Sequence, residues 1–138
     1  GDDTINGGSA SSVSATGYDG NDTLIGTSGR DFYGGNAGDD IIKTLAGDDV
    51  LIGGTGNDTL EGGDGSDIIN GDAGNDTIDG GGGNDTINAG DGDDVVIYKG
   101  EGNDTVTFGA GNDTLKVSNI TGWSEYRDGD DLIIYAAN

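Results

Sequence analysis

The 138-residue sequence has no cysteine, histidine, proline or methionine. Without cysteine there is no disulfide, no zinc–thiolate site and no thiol nucleophile. Without histidine, the serine-rich segment 9–14 has no visible general base beside it. We therefore expect no enzyme active site.

Long apolar runs are also missing, because none approaches the roughly 20 residues that a membrane span requires. The opening residues lack the pattern of a signal peptide. The sequence starts at Gly1, in the middle of the repeat described below, so we expect a fragment of a longer protein.

Basic side chains are scarce, with five Lys and Arg against 27 acids and a formal net charge of −22. This charge repels the phosphate backbone of nucleic acids, and cations are its natural partners. Only three of the acids are glutamate, so 27 − 3 = 24 are aspartate, a residue typical of turns.

What the sequence does contain is a nine-residue period. Aspartates recur at this spacing from Asp22 to Asp94 without a miss. A glycine lies two residues before each aspartate, and an apolar or aromatic residue two residues after it. The unit is G-G-x-G-x-D-x-U-x, with U apolar, and we number its positions one to nine. Repeats of this length indicate a solenoid.

Each part of the unit has a physical role. The first six positions suit tight turns, and the last three alternate outward, inward and outward as a short strand. Because one short strand cannot support itself, strands about 4.8 Å apart must stack and bury their U residues together. Two units then make one coil with two facing parallel sheets. We expect Leu24, Ile42, Leu60, Ile78 and Val96 inside sheet A, and Tyr33, Leu51, Ile69 and Ile87 inside sheet B.

The units G-G-T-G-N-D-T-L-E (53–61) and G-G-G-G-N-D-T-I-N (80–88) closely resemble the RTX, or hemolysin-type, calcium-binding repeat over roughly residues 17–116. The resemblance implies an all-β fold, a right-handed parallel β-roll, with Ca²⁺ between turns that are two units apart. In the family the first turn gives its position-six carboxylate and the carbonyls of positions two and four. The next turn gives its carboxylate and the carbonyls of positions one and three, a set of oxygens suited to a hard cation.

Carried over to this chain, the carboxylates assigned to calcium are Asp22, Asp31, Asp40, Asp49, Asp58, Asp67, Asp76, Asp85, Asp94, Asp104 and Asp113. The turn residues assigned with them are Asn36, Ala37 and Gly38; Leu45, Ala46 and Gly47; Gly53, Gly54, Thr55 and Gly56; Gly62, Gly63, Asp64 and Gly65; Gly71, Asp72, Ala73 and Gly74; and Gly80 and Gly82. Aspartate pairs separated by two full units predict seven sites.

Some units depart from the pattern. Asp85/Asp104 and Asp94/Asp113 are separated by one residue more than two units, across an insertion near Tyr98, so two further sites there need a bulge, giving nine at most. Residues 7–16 are a degenerate unit with Ser12 at the aspartate position, which leaves Asp3 without a good partner. Gly26-Thr27-Ser28 and Thr44-Leu45-Ala46 lack the double glycine and are expected to weaken those turns.

Residues 1–116 are predicted to form the β-roll and residues 117–138 a C-terminal capping segment, because the period breaks there. The segment contains Trp123, and it has the pattern of a hairpin around Asp128-Gly129.

High net charge and low apolar content predict an unfolded chain without metal, so that calcium binding and folding form one equilibrium. Because extracellular modules bind calcium at about 10⁻⁴–10⁻³ M, we expect folding after export, outside the cell or at its surface. The resemblance implies type I secretion from a Gram-negative bacterium and flanking domains of a parent protein, which the sequence does not name.

The alternative is a ligand-binding surface of an adhesin or surface-layer protein. Ice binding would require a regular outward threonine, and only Thr55 fits at position three. A carbohydrate or protein ligand fits better with the outward apolar residues of sheet B, namely Phe32, Val50, Ile52 and Ile68. The simpler interpretation is that segment 7–16 or a neighbouring domain covers them.

Overall fold

The computed structural model describes residues 1–99, 101–118, 123–128 and 131–136, with backbone alone for the last two ranges. Every regular element in these ranges is a β-strand. The strands are β1 (Thr4–Asn6), β2 (Ser14–Asp19), β3 (Thr23–Ile25), β4 (Phe32–Ala37), β5 (Ile41–Lys43), β6 (Val50–Thr55), β7 (Thr59–Asp64), β8 (Ile68–Ala73), β9 (Thr77–Gly82), β10 (Thr86–Asn88), β11 (Val95–Tyr98), β12 (Asn103–Thr107), β13 (Thr114–Val117), β14 (Trp123–Asp128) and β15 (Asp131–Ala136).

The strands form two sheets that the chain visits alternately. Sheet A has the order β1-β3-β5-β7-β9-β11-β13, and sheet B the order β14-β15-β12-β10-β8-β6-β4-β2. From β1 to β13 all pairing is parallel, because the chain passes through a tight turn and the other sheet before it returns beside the previous strand. The predicted β-roll is confirmed.

The register follows the two-unit coil. Leu60 lies beside Ile42 on one side and Ile78 on the other, each exactly one coil away along the chain. All nine residues predicted to line the interior are at most 2% exposed. They form one continuous apolar core between the sheets, which holds the turns at both edges in vertical rows.

The insertion near Tyr98 leaves the strand pairing intact. From Ile87 to Val106 and from Val96 to Leu115 the register steps by one coil plus one extra residue, yet the ladders stay parallel and continuous. Ile97 still pairs with Asp79, one regular coil away, so the extra residue follows Ile97, near the end of β11 at the buried Tyr98. The Tyr98 hydroxyl donates to the carbonyl oxygen of Gly102 at 2.9 Å.

The degenerate unit differs from expectation in its register. Ser14 pairs with Phe32, which follows Asp31 directly, so Val13 and not Ser12 occupies the aspartate position. The step from Thr4 to Thr23 also exceeds one coil by a single residue, which shows that an extra residue precedes Val13. Counting from Asp3 therefore gave the wrong position, since strand pairing sets the register.

The C-terminal strands reverse the direction of sheet B. β15 pairs antiparallel with β12, and β14 pairs antiparallel with β15. The pairing of Asp128 with Asp131 agrees with the predicted hairpin, although Gly129 and Asp130 lie outside the described residues. From residue 119 onwards the side chains of the capping segment, Trp123 among them, are likewise outside the described part.

A search of the described residues for a helix long and apolar enough to cross a membrane found none.

Candidate metal centre

The turns form two rows, one along each edge of the roll. The A row precedes the strands of sheet A, and the B row those of sheet B. We call the space between two successive turns of one row a layer. The A-row aspartates are Asp3, Asp22, Asp40, Asp58, Asp76, Asp94 and Asp113, and the B-row aspartates are Asp31, Asp49, Asp67, Asp85 and Asp104.

Carbonyl oxygens enter each layer from the turn before it. In the layer between turns 35–40 and 53–58, a Cβ built on Gly54 would lie 2.1 Å from the Asn36 carbonyl oxygen. A Cβ built on Gly56 would lie equally close to the Gly38 oxygen. Both glycines also have left-handed backbone, with φ of 118° and 127°. The bare backbone therefore lets the carbonyls of positions two and four face the next turn.

Carbonyl oxygens also enter the layer from the turn after it. The Thr55 carbonyl accepts the N–H of Gly38 at 2.8 Å. The Gly53 carbonyl oxygen lies 2.7 Å from the point where Gly35 would carry a Cβ. Positions one and three of the later turn thus direct their oxygens back towards the earlier turn.

The aspartate carboxylates are fixed by backbone donors. The Asp40 N–H donates to Oδ1 of Asp58 at 2.8 Å, and the same bond repeats along both rows. It survives both of the longer steps near Tyr98, since Asp104 and Asp113 accept from Asp85 and Asp94 at 2.9 Å. Asp3 was expected to lack a partner. It lies opposite Asp22, and its backbone N–H donates to Oδ1 of Asp22 at 2.6 Å.

The second carboxylate oxygen has no donor in most units. Eight row aspartates bury an Oδ2 atom that accepts no hydrogen bond: Asp22, Asp40, Asp49, Asp58, Asp67, Asp76, Asp85 and Asp94. These residues are at most 1% exposed, so water does not reach the atoms freely. An unpaired buried carboxylate oxygen costs several kcal/mol, on the order of 2–7, unless a partner is supplied.

The unpaired oxygens converge with carbonyls on the space left by the first glycine of the turn. A Cβ on Gly35 would lie 2.1 Å from Oδ2 of Asp40 and 2.7 Å from the Gly53 carbonyl oxygen. Gly53, one turn later in the A row, and Gly62, in the B row, have matching surroundings. The missing side chain leaves a small cradle lined by oxygen atoms.

The clustered carboxylates make the electrostatic potential in the cradles strongly negative. Burial raises the pKa of Asp58, Asp85 and Asp104 to about 6 and that of Asp67 and Asp76 to about 7, with neighbouring carboxylates adding to the rise and backbone N–H bonds opposing it. In the part of the chain that the structure describes, the ion pairs are Lys43–Glu61 and Lys99–Asp79, on the outer face of sheet A. Neither pair includes a carboxylate of the two rows.

A layer brings together two carboxylates, and no group of three or more metal-ligating side chains forms in the described ranges. The remaining donors are backbone carbonyls. Mixed carboxylate and carbonyl oxygen donors are the set that a hard divalent cation such as Ca²⁺ accepts. The buried unpaired oxygens, the glycine cradles and the donor chemistry all fit a cation between the turns.

The predicted aspartates at position six lie together with the predicted turn residues at positions one to four. Two layers of the B row differ from the others. Thr27 and Thr44 are buried within B-row layers, at turn positions where many other units have glycine, and the sequence indicated only weaker turns there. A second ladder at position five was missed. In it the Asn57 N–H donates to Asp39 Oδ1 at 2.7 Å, and the Asn75 N–H donates to Asn57 Oδ1 at 2.9 Å. The recurrence of Asn and Asp at position five was its signal in the sequence.

Comparison with known protein families agrees with this geometry. A model of four copies of the RTX calcium-binding nonapeptide repeat matches residues 1–13, 16–32, 34–69, 61–96 and 96–115. A search of curated individual proteins gave no match. The family model matches most of the chain, in agreement with the repeat pattern and the β-roll. The chain therefore belongs to the RTX calcium-binding nonapeptide repeat family.

Proposed function

We propose that Ca²⁺ ions bind in the layers between successive turns and that this binding folds the chain. The observation that carries the proposal is the set of eight buried Asp Oδ2 atoms without a donor. A divalent cation between two turns would supply the missing partner to the Oδ2 atom there. The module binds and folds, and does not catalyse a reaction.

In an A-row layer, the proposed ligands are the carboxylates of Asp40 and Asp58 with the carbonyl oxygens of Asn36, Gly38, Gly53 and Thr55. These oxygens are the ones that face the layer. In the B row, Asp67, Gly63 and Gly65 would face Asp85, Gly80 and Gly82 in the same way. Supporting this, a Cβ on Gly81 would lie 2.1 Å from the Gly63 carbonyl oxygen.

Electrostatics couples binding to folding. Seven Ca²⁺ ions would bring 7 × 2 = 14 positive charges against the net charge of −22. Without them the rows place carboxylates at short spacing in a buried setting, which favours the unfolded chain. Binding free energy is then folding free energy.

We place the folding step outside the cell. Extracellular calcium modules have dissociation constants of about 10⁻⁴–10⁻³ M, far above cytosolic free calcium. A chain with this affinity remains unfolded during export and folds afterwards. Type I secretion from a Gram-negative bacterium, and flanking domains that this module serves, are parts of the same proposal and come from the family resemblance.

Circular dichroism of the purified chain tests the proposal. In EGTA we expect a coil-like spectrum, and on titration with CaCl₂ a change to β-structure. MgCl₂ at equal concentration is the control, because Mg²⁺ requires octahedral geometry with shorter bonds and keeps its water. Full β-structure in EGTA, or an equal response to Mg²⁺, would contradict the proposal.

A ligand-binding surface is the second candidate, and the outer face of sheet B favours it. Phe32 is 43% and Ile68 54% exposed, beside the partly buried Val50 and Ile52. The expectation that segment 7–16 covers this face fails for residues 14–16, because they belong to β2 and extend the sheet beside β4. Glycan arrays with the calcium-loaded chain test for a carbohydrate ligand, and a pull-down with the flanking domains tests for a protein cover.

A further inference from the structure

Two consecutive B-row turns carry a buried threonine at the cradle. Thr27 is at position two of turn 26–31, and Thr44 is at position one of turn 44–49. Both are at most 1% exposed. The layers concerned lie between Asp31 and Asp49 and between Asp49 and Asp67. Both were counted among the seven regular sites by spacing alone.

In the first layer the carboxylate of Asp31 is already satisfied. The Thr27 N–H donates to Oδ2 of Asp31 at 2.6 Å, and the Thr27 hydroxyl lies 3.1 Å from both carboxylate oxygens. Oδ1 also accepts the N–H of Val13 at 2.6 Å. Asp31 is accordingly absent from the set of aspartates with an unpaired Oδ2. The protein itself supplies the donors that a cation would replace.

The backbone of turn 26–31 also differs from the other turns. Gly29 lacks the positive φ that every other position-four glycine from Gly20 to Gly92 has. A Cβ on Gly47 would lie closer to the Gly29 carbonyl carbon, at 2.7 Å, than to its oxygen at 2.8 Å. At the matching A-row position the Gly38 oxygen is nearest, at 2.1 Å. The Gly29 carbonyl is therefore turned away from the direction that its counterparts share.

In the second layer a side chain fills the cradle. At the matching A-row position a Cβ on Gly53 would lie 2.3 Å from Oδ2 of Asp58, whereas Thr44 has a real Cβ and two more heavy atoms at this position. Its hydroxyl donates to the carbonyl oxygen of Gly62 at 2.7 Å, which occupies one of the oxygens that face the layer. Oδ2 of Asp49 has no donor, so hydrogen bonding to this carboxylate does not exclude a cation. The Thr44 side chain excludes the cation by its volume and by occupying the Gly62 carbonyl oxygen.

We propose that Thr27 and Thr44 stand in for calcium in these two layers, which therefore bind no ion. The inference rests on the proposed function. It reduces the regularly spaced sites from seven to five, four in the A row and one, Asp67/Asp85, in the B row. The N-terminal half of the roll then binds calcium in the A row alone.

Calcium stoichiometry of the full chain tests the proposal, measured by native mass spectrometry and by isothermal titration calorimetry in saturating CaCl₂. T27G and T44G should each add one bound ion, and the double variant two. T59G, which removes an exposed threonine from β7, should leave the count unchanged. An unchanged count in T27G or in T44G overturns the proposal for that layer.

Three more substitutions keep the test decisive if a glycine variant does not fold. D31N should leave the number of bound ions unchanged, because its layer holds none, whereas D58N should lower it. T44V, which keeps the volume and removes the hydroxyl, should also bind as many ions as the wild type. A loss of one ion in D31N or in T44V would show that the layer is a calcium site. A wild-type chain that binds no calcium at all would instead refute the proposed function.

Discussion

The backbone N–H of Asp58 donates to Oδ1 of Asp76 at 2.8 Å, while Oδ2 of Asp76 is buried without a donor. The two residues are one coil apart and belong to neighbouring turns of the A row. One carboxylate oxygen thus fixes the side chain, and the other is left for a cation. Repetition of this relationship along both rows links each layer to the next.

Asp58→Asn tests the role of the charged oxygen. The amide that replaces the carboxylate can still accept the Asp40 N–H through Oδ1, but it lacks the negative charge of the carboxylate, which lies between two layers. We expect fewer bound ions, by up to two, and a calcium midpoint for folding raised by at least about 10-fold, because even the outer partners of a metal site contribute that much to affinity. Calcium titration followed by circular dichroism measures the midpoint.

Asp39→Asn is the matched control, because it removes the same charge from an exposed position five, in the preceding turn of the same row. Asparagine occurs naturally at this position in Asn57 and Asn75, and it keeps the acceptor for the Asn57 N–H. We expect a small shift that disappears in 0.5 M KCl. An equal shift in the two variants would mean that net charge, and not the position of Asp58, controls calcium binding.

Gly83→Ala should destabilise the calcium-loaded roll. Gly83 has φ of 129°, and an added Cβ would lie 1.7 Å from the Gly65 carbonyl oxygen. Such backbone strain costs about 1–3 kcal/mol, and the contact with main chain adds to it. Urea denaturation in saturating CaCl₂ measures the change in the free energy of unfolding.

Gly82→Ala provides the comparison from the neighbouring residue. Gly82 has no positive φ, and the nearest atom to its Cβ would be in the flexible Glu101 side chain, at 3.0 Å. We expect a change below about 1 kcal/mol, as for surface substitutions in general. Equal destabilisation by the two alanines would show that the close approach of successive turns does not limit stability.

The stability of the metal-free fold should depend on pH. Burial raises the pKa of Asp67 and Asp76 from 3.8 to about 7 in the folded chain without metal. The folded state therefore holds protons more tightly than the unfolded state, and the stability of the metal-free fold falls as pH rises from about 4 through 7. In EGTA we expect the β-structure measured by circular dichroism to increase as pH falls from 8 to 4.5. A spectrum in EGTA that does not change with pH would contradict these pKa values.

Deletion of residues 117–138 should abolish or greatly weaken calcium-induced folding. β15 pairs antiparallel with β12, so the deletion leaves the backbone N–H and C=O groups of β12 that face β15 unpaired at the end of sheet B. Circular dichroism at 10 mM CaCl₂ measures the β-content that remains.

Deletion of residues 1–6 is the comparison for the capping segment, because it removes only the three-residue edge strand β1. Its Ile5 is partly exposed, in contrast to the fully buried Leu24 beside it. We expect calcium-induced folding to persist. Normal folding of the chain that lacks residues 117–138 would refute the role of this segment as a cap.

The nine-residue period by itself determined the fold, the two rows and the inward residues, because a repeat with one apolar position and a glycine turn has few ways to bury that position. The resemblance of the repeat to the RTX family then identified the aspartates from Asp22 to Asp94 as ligand candidates. The spacing was equally regular at Asp31 and Asp49, so it gave no reason to separate these layers from the others.

Only the tertiary structure decided what occupies each layer and where the register steps. Val13 replaces Ser12 at the aspartate position because strand pairing, and not the count along the chain, sets which residues lie side by side. Thr27 reaches Asp31 within its own turn, whereas the Thr44 hydroxyl contacts Gly62, a full coil away. Contacts between residues of successive coils depend on how the coils stack, and the local sequence of one turn does not specify this stacking.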